Sequence, residues 1–420
     1  MNRFFVIVVG ATFILNACSN HESDMAEEPS SYKILSNPIR SYDEALKIAE
    51  SSISLLNGSA TVTRSGSPRV INVDKSKVIK KTFKTRSGST INDTLIYVFN
   101  FSDSEGFALV SASLETEGLL AITEQGYFDP DTLSGIFGFD LFVEKAKEYV
   151  ANSRNNRFPP DSTIVFHKEV IVPNSYDYVG PYVTVKWGQD YAEGTFCSNN
   201  LAGCVNTAIA QIMSYYEYPS SIDLTYPGCG QAYQTLNWTN MKSHTTNHIL
   251  SNCTDISAHI ATGQLLRQLG EMTHSQYYHY PDVTITFFDL YGISTLTTLG
   301  YNVGTTMAYN GVTARYGIDN NRIFVMDSSH TWVFDGYLIE DATIEYYERP
   351  YNSNMWLLYY TEPITIYFNH FNWGWHGDNN GYFNENVYST NSVVFPDTQN
   401  NNINANYSDV YMTSVYRTVN

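Results

Sequence analysis

The sequence predicts an α+β protein with two folded parts behind an export segment. Its 420 residues exceed the usual length of one domain. The residues from Leu95 to Phe101 place a leucine and three aromatic residues at every second position, as a strand does, and Phe107 to Ala112 follows after a turn as a second strand. An amphipathic helix begins near Cys204, and the polar, proline-bearing stretch 151–162 predicts an inter-domain linker.

The composition argues against one class of partner. The chain has a formal net charge of −18, and its 24 Lys and Arg residues form no sustained cluster, so nucleic-acid binding is not expected. The hydrophobic content of 43% is ample for two cores. No internal apolar run reaches the length that a membrane-spanning helix needs.

The N-terminus has the pattern of a bacterial lipoprotein signal. Arg3 precedes an apolar run at 4–15 that is too short to span a bilayer as a mature helix. The run ends in Leu-Asn-Ala-Cys, which is similar to the lipoprotein cleavage box and makes Cys18 the predicted lipid-bearing residue. We predict a signal peptide at 1–17, a polar tether at 18–31 and a lipid anchor in the membrane. The alternative is an ordinary secretory signal that contains a cysteine, and either signal exports the protein.

A small α+β domain is predicted between the tether and the linker. Ser41 to Glu44 has the form of a capping box, so a helix starts there. The strands at 95–101 and 107–112 are followed by another near 119–123 and by a helix at about 141–149. This region carries no evident chemistry of its own.

Cys204 is the strongest candidate for chemistry in the second part of the chain. From Val205 to Tyr216 apolar residues recur at the spacing of one helical stripe, and Gly203 supplies the turn into the helix. Cys204 therefore lies in the first helical turn, where unpaired N–H groups and the helix dipole favour the nucleophilic thiolate. A buried structural cysteine is the alternative.

The other cysteines leave the disulfide pattern open. Besides Cys18 and Cys204 the chain contains Cys197, Cys229 and Cys253. In an oxidising compartment at most one disulfide can form among these three. The sequence does not decide which pair forms, and Cys229 with Cys253 is one possibility.

Further residues offer groups that suit a reactive thiol. Gln189 precedes Cys204 by 15 residues, and its amide is a suitable donor to the oxyanion that forms when a carbonyl is attacked. His330 opens a predicted strand, which would hold a base rigidly at a cleft edge. Asn372 can bond an imidazole, and the adjacent Trp373 can shield that contact from water. Taken singly, such residues more often have no catalytic role.

No metal or other cofactor is predicted. His244 and His248 are four residues apart, but no glutamate lies between them and the intervening residues are typical of a loop. A zincin motif would read His-Glu-x-x-His on a helix.

The order of these features is similar to that of papain-like cysteine hydrolases: a glutamine, a Gly-Cys pair at a helix start, a histidine on a strand and an Asn-Trp pair. Papain's own Cys-Gly-x-Cys-Trp signature is absent. The motifs instead resemble those of the streptopain family of bacterial cysteine peptidases. They are Ala202–Val205 (AGCV), Ala210–Met213 (AQIM), Ser329–Tyr337 (SHTWVFDGY) and Phe371–Trp375 (FNWGW). Residues 97–101 and 106–111 resemble that family's propeptide.

The resemblance implies a papain-like cysteine peptidase domain at 156–420, preceded by a propeptide domain at 32–155 that inhibits it. It implies that Cys204 is the nucleophile, that His330 is the general base and acid, and that Gln189 is the oxyanion donor. Trp373, with Asn372 beside it, would cover and orient the histidine.

Two departures from the family pattern concern the substrate cleft. The family usually has glycine immediately before the histidine, where this chain has Ser329. We expect Ser329 to contact substrate and to narrow specificity. The aromatic insertion Ile339–Thr361 is longer than in the member that gives the family its name, and it would reshape the cleft rim.

We therefore expect a cysteine endopeptidase that is made as a zymogen and cleaves protein or peptide substrates. It would be a lipoprotein of the bacterial cell envelope, at the outer membrane or cell surface, and maturation would release it from its anchor. The competing hypothesis is a catalytically inactive surface lipoprotein that keeps the fold and binds host protein or glycan.

Overall fold

The central element of the structure is a twelve-stranded sheet. The structure is a computed structural model that describes residues 39–56, 68–84, 90–153, 165–190, 193–243, 255–350, 355–389 and 410–418. Its strands are β1 Lys77–Lys84, β2 Thr90–Asn100, β3 Phe107–Ser111, β4 Leu119–Thr123, β5 Val165–Val179, β6 Ser221–Asp223, β7 Tyr233–Thr235, β8 Gln276–His279, β9 Asp282–Ile285, β10 Asn302–Val303, β11 Met307–Ala308, β12 Ile323–Asp327, β13 Thr331–Pro350, β14 Leu357–Asn372, β15 Gly381–Asn384 and β16 Tyr411–Tyr416. Its helices are α1 Tyr42–Ser52, α2 Phe137–Ser153, α3 Cys204–Tyr216, α4 Trp238–Ser243, α5 Ile256–Met272, α6 Ile293–Thr298 and α7 Gly311–Asp319.

The sheet joins N-terminal and C-terminal strands without a break. Its order is β1-β2-β3-β4-β15-β14-β13-β12-β16-β10, with β11 paired to β16 and β5 paired to β13. The junction is the antiparallel pairing of β15 with β4, in which Tyr382 lies opposite Ile122. β6–β7 and β8–β9 form two separate hairpins.

Helices cover the sheet because its strands present apolar side chains on alternating faces. In β12, Phe324 and Met326 join the core that contains α2 and α7, whereas Ile323 and Val325 join the core that contains α3 and α5. A third core lies beneath α1 and includes Phe99 of β2. These layers bring the N-terminus of α3 close to the start of β13.

Several local predictions agree with the structure. Helix α1 begins after Ser41, which forms the capping box with Glu44 in both directions. Helix α3 begins at Cys204, and β4 spans Leu119–Thr123 as expected. Helix α2 begins at Phe137, four residues earlier than its apolar period indicates. Its first turn packs against distant residues, which the local pattern does not reveal.

The aromatic insertion Ile339–Thr361 differs most from expectation. It does not form a separate loop between two strands, because β13 and β14 continue through most of it as one long antiparallel pair. Strand β5 pairs with β13 from Tyr337 to Pro350 and extends this arm. The insertion contains five tyrosines among its 23 residues, and tyrosine favours strands. Its partner β5 lies far away in the sequence and could not be found from local pattern.

Some predictions fall outside the described residues. They concern the signal peptide and tether with Cys18, most of the linker, His244, His248 and Cys253. Of the helices in the described ranges, none has both the length and the apolar character needed to cross a membrane.

Candidate active site

Cys204 occupies the position that the sequence indicates, at the first residue of α3. Gly203 precedes it with φ of +85°, a backbone conformation that glycine adopts without strain. The Gly203 carbonyl accepts a hydrogen bond from the Thr207 N–H at 3.1 Å, which closes the first helical turn. The thiol is free, as are those of Cys197 and Cys229.

The structure places His330 beside this thiol. Burial by itself raises the pKa of Cys204, but the charge of His330, a hydrogen bond with its ring and one from the Thr331 N–H lower it overall. Burial by itself lowers the pKa of His330, but the charge of Cys204 and the hydrogen bond between the two side chains raise it overall. The pair is therefore biased towards thiolate and imidazolium, which is the reactive form of a Cys-His dyad.

A backbone carbonyl fixes the orientation of His330. Its Nε2 lies 3.0 Å from the carbonyl oxygen of Trp373 and must donate to it. The other ring nitrogen, Nδ1, is left for the thiol. The ring also stacks on Trp332, with planes 8° apart and centroids 6.3 Å apart. Strand β13 begins at Thr331, so His330 immediately precedes the strand instead of opening it.

Asn372 is placed differently from the expectation that it orients the histidine. Its Nδ2 donates to the Val185 carbonyl at 3.0 Å, and its Oδ1 accepts from Gln211 Nε2 at 3.0 Å and from the Gly374 N–H at 3.2 Å. Gln211 belongs to α3, so Asn372 ties that helix to the end of β14. The hydrogen bond to the histidine comes from the next residue, through the backbone carbonyl of Trp373.

Gln189 lies next to the start of α3. Its backbone carbonyl accepts hydrogen bonds from the N–H groups of Ala202, at 2.8 Å, and Gly203, at 3.4 Å. Its side chain is half-buried. This position suits a donor to an oxyanion that forms at Cys204.

Ser329 and Asp327 lie at the open side of the dyad. Ser329 is exposed and adjoins His330, as a residue at a substrate-binding edge would. Asp327 is half-buried, and its Oδ1 accepts a hydrogen bond from Thr331 Oγ1 at 2.5 Å. Burial and the charge of Asp289 raise the pKa of Asp327 to about 6. The charge of Asp327 raises the pKa of both Cys204 and His330.

A second cluster, which was not predicted from the sequence, lies beside Gln189. It consists of Asp190, Glu193 and His376, whose donor atoms all lie within 4.8 Å of one another. Such a set could hold a cation, but each ring nitrogen of His376 already faces a carboxylate oxygen. A signal was available, since His376 follows the FNWGW motif directly and Asp190 follows Gln189.

The N-terminal region contacts the dyad through α2. A Cβ at Gly138 would lie 2.6 Å from Trp373 Cζ3 and 3.0 Å from His330 Cδ2, so α2 packs against both side chains. Phe139 and Phe142 of the same helix pack edge-on against Phe383 of β15.

A buried ion-pair cluster forms a further contact between the two regions. His370 of β14 places Nδ1 2.7 Å from Asp335 Oδ1 and Nε2 3.7 Å from Glu124 Oε1. Burial lowers the pKa of His370, but these two carboxylates outweigh it and raise the pKa to about 10. Burial by itself raises the pKa of Glu124, but the nearby charge of His370 lowers it overall.

Two family models match the chain. The Peptidase C10 family model matches residues 185–383, and the Spi protease inhibitor model matches residues 36–156. Streptopain of Streptococcus pyogenes is 29% identical over 155 residues, which are 34% of this chain and 38% of the relative. Streptopain of serotype M1 matches to the same extent. The chain thus spans about 38% of the length of these relatives.

A solved structure also matches. It is a fragment of prointerpain A from Prevotella intermedia, with a TM-score of 0.47 and 16% identity, and the match covers 80% of this chain and 98% of that chain. The family matches, with the mixed helices and strands, confirm the predicted α+β, papain-like fold preceded by a propeptide region. The chain thus combines a segment at 185–383 that is similar to the peptidase C10 family with a preceding segment at 36–156 that is similar to Spi protease inhibitors.

Proposed function

We propose that this chain is a cysteine endopeptidase, made as a zymogen, that hydrolyses peptide bonds through a thioester on Cys204. The observation that carries the proposal is the dyad: a thiol at a helix N-terminus meets a buried imidazole, and the two shift each other's pKa towards the ion pair. The match of residues 185–383 to the Peptidase C10 family also supports peptide-bond hydrolysis.

The proposed reaction begins when the Cys204 thiolate attacks the carbonyl carbon of the scissile bond. The carbonyl electron pair moves onto oxygen, and this oxyanion accepts hydrogen bonds from the Gln189 amide and the Cys204 N–H. His330 then transfers its Nδ1 proton to the leaving amine nitrogen as the C–N bond breaks, which leaves a thioester.

Deacylation reverses these roles. Neutral His330 takes a proton from water, the hydroxide attacks the thioester carbonyl, and the Cys204 thiolate leaves. The Trp373 carbonyl supports both steps because it keeps the ring in one orientation. Ser329, exposed beside the histidine, is the proposed contact for the substrate backbone or side chain.

The test is hydrolysis of casein and of a mixed peptide library, under reducing conditions, by wild type and Cys204→Ala. We expect Cys204→Ala to lose essentially all activity. Cys229→Ala removes another free, half-buried thiol and should keep it. A thiol-directed epoxide should label wild type once, at Cys204. Wild-type hydrolysis by Cys204→Ala would disprove the proposal, and an unlabelled chain that binds protein or glycan would support the inactive lipoprotein instead.

We propose that residues 32–155 are the propeptide and that 156–420 form the peptidase domain. The contact of Gly138 with His330 and Trp373 supports inhibition by this segment, because it occupies the space beside the dyad. The activating cut should fall at 154–164. Helix α2 ends at Ser153 and β5 begins at Val165, and cleavage inside either element would have to break its backbone hydrogen bonds.

N-terminal sequencing of the incubated precursor tests the zymogen proposal. We expect new N-termini between 154 and 165, with activity rising as they appear and no processing of Cys204→Ala when it is incubated alone. Arg154 and Arg157 lie in this stretch and provide basic cleavage positions. Full activity of the uncut chain would contradict autoinhibition.

We also propose export as a lipoprotein anchored through Cys18. The support is the sequence alone: a short apolar run after Arg3 and the Leu-Asn-Ala-Cys box. Labelled palmitate supplied to a bacterial host should enter wild type and not Cys18→Ser. Incorporation into both chains, or into neither, would reject the anchor, and secretion of Cys18→Ser would indicate an ordinary signal peptide.

A further inference from the structure

His376 lies in the turn after β14, and its ring is only 2% exposed. Its Nε2 lies 2.6 Å from Asp190 Oδ1, and its Nδ1 lies 3.4 Å from Glu193 Oε2. The ring therefore lies between two carboxylates, with a hydrogen bond to Asp190 and a longer contact to Glu193.

The bridged carboxylates belong to the segment that carries Gln189. Asp190 follows Gln189 directly, and Glu193 opens a short 3₁₀ helix, Glu193–Phe196. The Asp190 carbonyl accepts a hydrogen bond from the Gly194 N–H at 2.8 Å. This bond holds Asp190 against the start of the 3₁₀ helix. We name residues 186–190 and 193–203 the glutamine loop.

The glutamine loop is fitted closely around the ring. A Cβ at Gly188 would overlap the His376 imidazole, so the loop passes directly over it. On the far side, the Gln189 carbonyl is bonded by the N–H groups of Ala202 and Gly203. Gln189 is therefore held between the ring of His376 and the start of α3.

Removal of the ring would leave two carboxylates close together, one of them buried. Glu193 has a side chain only 1% exposed, and that of Asp190 is 16% exposed. Like charges at this distance repel, and burial strengthens that repulsion. The loop would relax by separating them, and Gln189 would move with Asp190.

We propose that His376 is a positioning residue, which holds the Gln189 amide at the oxyanion site by bridging Asp190 and Glu193. The inference rests on the proposed function, in which Gln189 is an oxyanion donor. The ring of His376 contacts Asp190 and Glu193, which both lie in the glutamine loop. Its substitution should therefore impair oxyanion stabilisation and leave the thiolate intact.

The experiment measures kcat, KM and epoxide labelling for wild type, His376→Gln, Gln189→Ala and the double variant. Full chains are processed with trypsin at the arginines of the linker, and trypsin is then inhibited, so that no variant depends on self-processing. His279→Gln is the control, because His279 is exposed on β8 and outside the site. Glutamine at 376 keeps one side-chain donor and removes one of the two contacts of the ring.

We expect His376→Gln to lower kcat by roughly 10- to 100-fold with little change in KM, as displacement or loss of one oxyanion donor does. Labelling of Cys204 should keep its wild-type rate, because alkylation needs the thiolate and not the oxyanion site. In the Gln189→Ala background, His376→Gln should cause no further loss. A merely structural role would lower kcat in both backgrounds alike.

Three outcomes would overturn the inference. The first two are an unchanged kcat in His376→Gln and an equal loss of kcat in both backgrounds. The third is a loss of wild-type activity on dialysis against EDTA that Zn²⁺ restores, which would make the cluster a cation site. Failure of the proposed function is distinguishable, because Cys204→Ala would then stay active. If His376→Gln does not fold, Asp190→Asn replaces it. Asp190→Asn keeps an oxygen that accepts from His376 Nε2. It should lower kcat less than His376→Gln does, and again only when Gln189 is present.

Discussion

His330 and His370 are both buried and both have a raised pKa, yet the structure gives them different surroundings. His330 faces a thiol that is half-buried at a helix terminus. His370 faces Asp335, which is fully buried, and Glu124, which belongs to the inhibitor segment. One histidine has a nucleophile that a substrate can reach, and the other is enclosed by acceptors that cannot react.

Burial and a perturbed pKa do not by themselves identify a catalytic histidine. A catalytic histidine also needs a reactive partner that substrate can reach. His330 should contribute to turnover and little to stability, and His370 should contribute to stability and to the contact between the two regions. Substitutions of matched size separate these contributions.

The largest expected effect is that of His330→Gln on turnover. Loss of the general base and acid should lower kcat/KM by roughly 10³- to 10⁴-fold. The labelling rate of Cys204 should fall as well, because the imidazolium no longer lowers its pKa. The melting temperature should stay close to that of wild type. A lower melting temperature with unchanged turnover per folded molecule would show that His330 stabilises the fold and does not act in catalysis.

His370→Gln should do the opposite. It leaves the buried Asp335 without its cation, so the free energy of unfolding of the full chain should fall by about 3 kcal/mol. The pKa of His370 is raised from 6.5 to about 10, so its stabilising contribution is complete below pH 6.5 and is lost as the pH rises through 10. Urea titrations of both chains at pH 6, 8 and 10 should show the difference shrinking. A difference that grows with pH would contradict this assignment.

Glu124→Gln should weaken inhibition and leave the dyad intact. It removes the carboxylate that the N-terminal region places against His370. Residual activity of the uncut full chain, measured in Arg154→Gln/Arg157→Gln precursors that resist processing at these arginines, should rise several-fold. Glu115→Gln, at an exposed residue of the same region, is the control. Since the pKa of Glu124 is lowered from 4.5, its contact is present above pH 4.5 and is lost with further acidification.

The smallest effect is that of Asp327→Asn on the pH profile. The charge of Asp327 raises the pKa of both Cys204 and His330. Its removal should shift both limbs of the bell-shaped kcat/KM profile to lower pH: the acid limb reports ionisation of Cys204, and the alkaline limb reports proton loss from His330. Movement of one limb alone, or of either limb to higher pH, would show that Asp327 does not act on the dyad by its charge.

The sequence was most informative where local chemistry determines local structure. The capping box at Ser41 and the glycine before Cys204 mark helix starts because their hydrogen bonds and backbone angles involve only neighbours. The resemblance supplied His330, and the structure brings it to the thiol. The partners of Asn372, which are Gln211 and Val185, lie more than 150 positions away and could not be found from local pattern.

Contacts between distant segments were beyond the sequence. His376 meets Asp190 across 186 positions, and β5 meets β13 across more than 150. No local period reports such pairings, since they depend on how the sheet and helices pack. The same holds for Gly138, whose small size fits it against Trp373 only once α2 is in place.

The pairing of β4 with β15 has a consequence for the timing of activation. Hydrolysis of the connecting segment would cut the chain, but it would leave Ala121–Thr123 bound to Gly381–Phe383 and His370 bound to Glu124. The severed piece would then stay in a two-chain complex with a finite residence time. Enzyme activity would lag behind the cut, and the lag would lengthen as the protein is concentrated, because dissociated pieces then rebind.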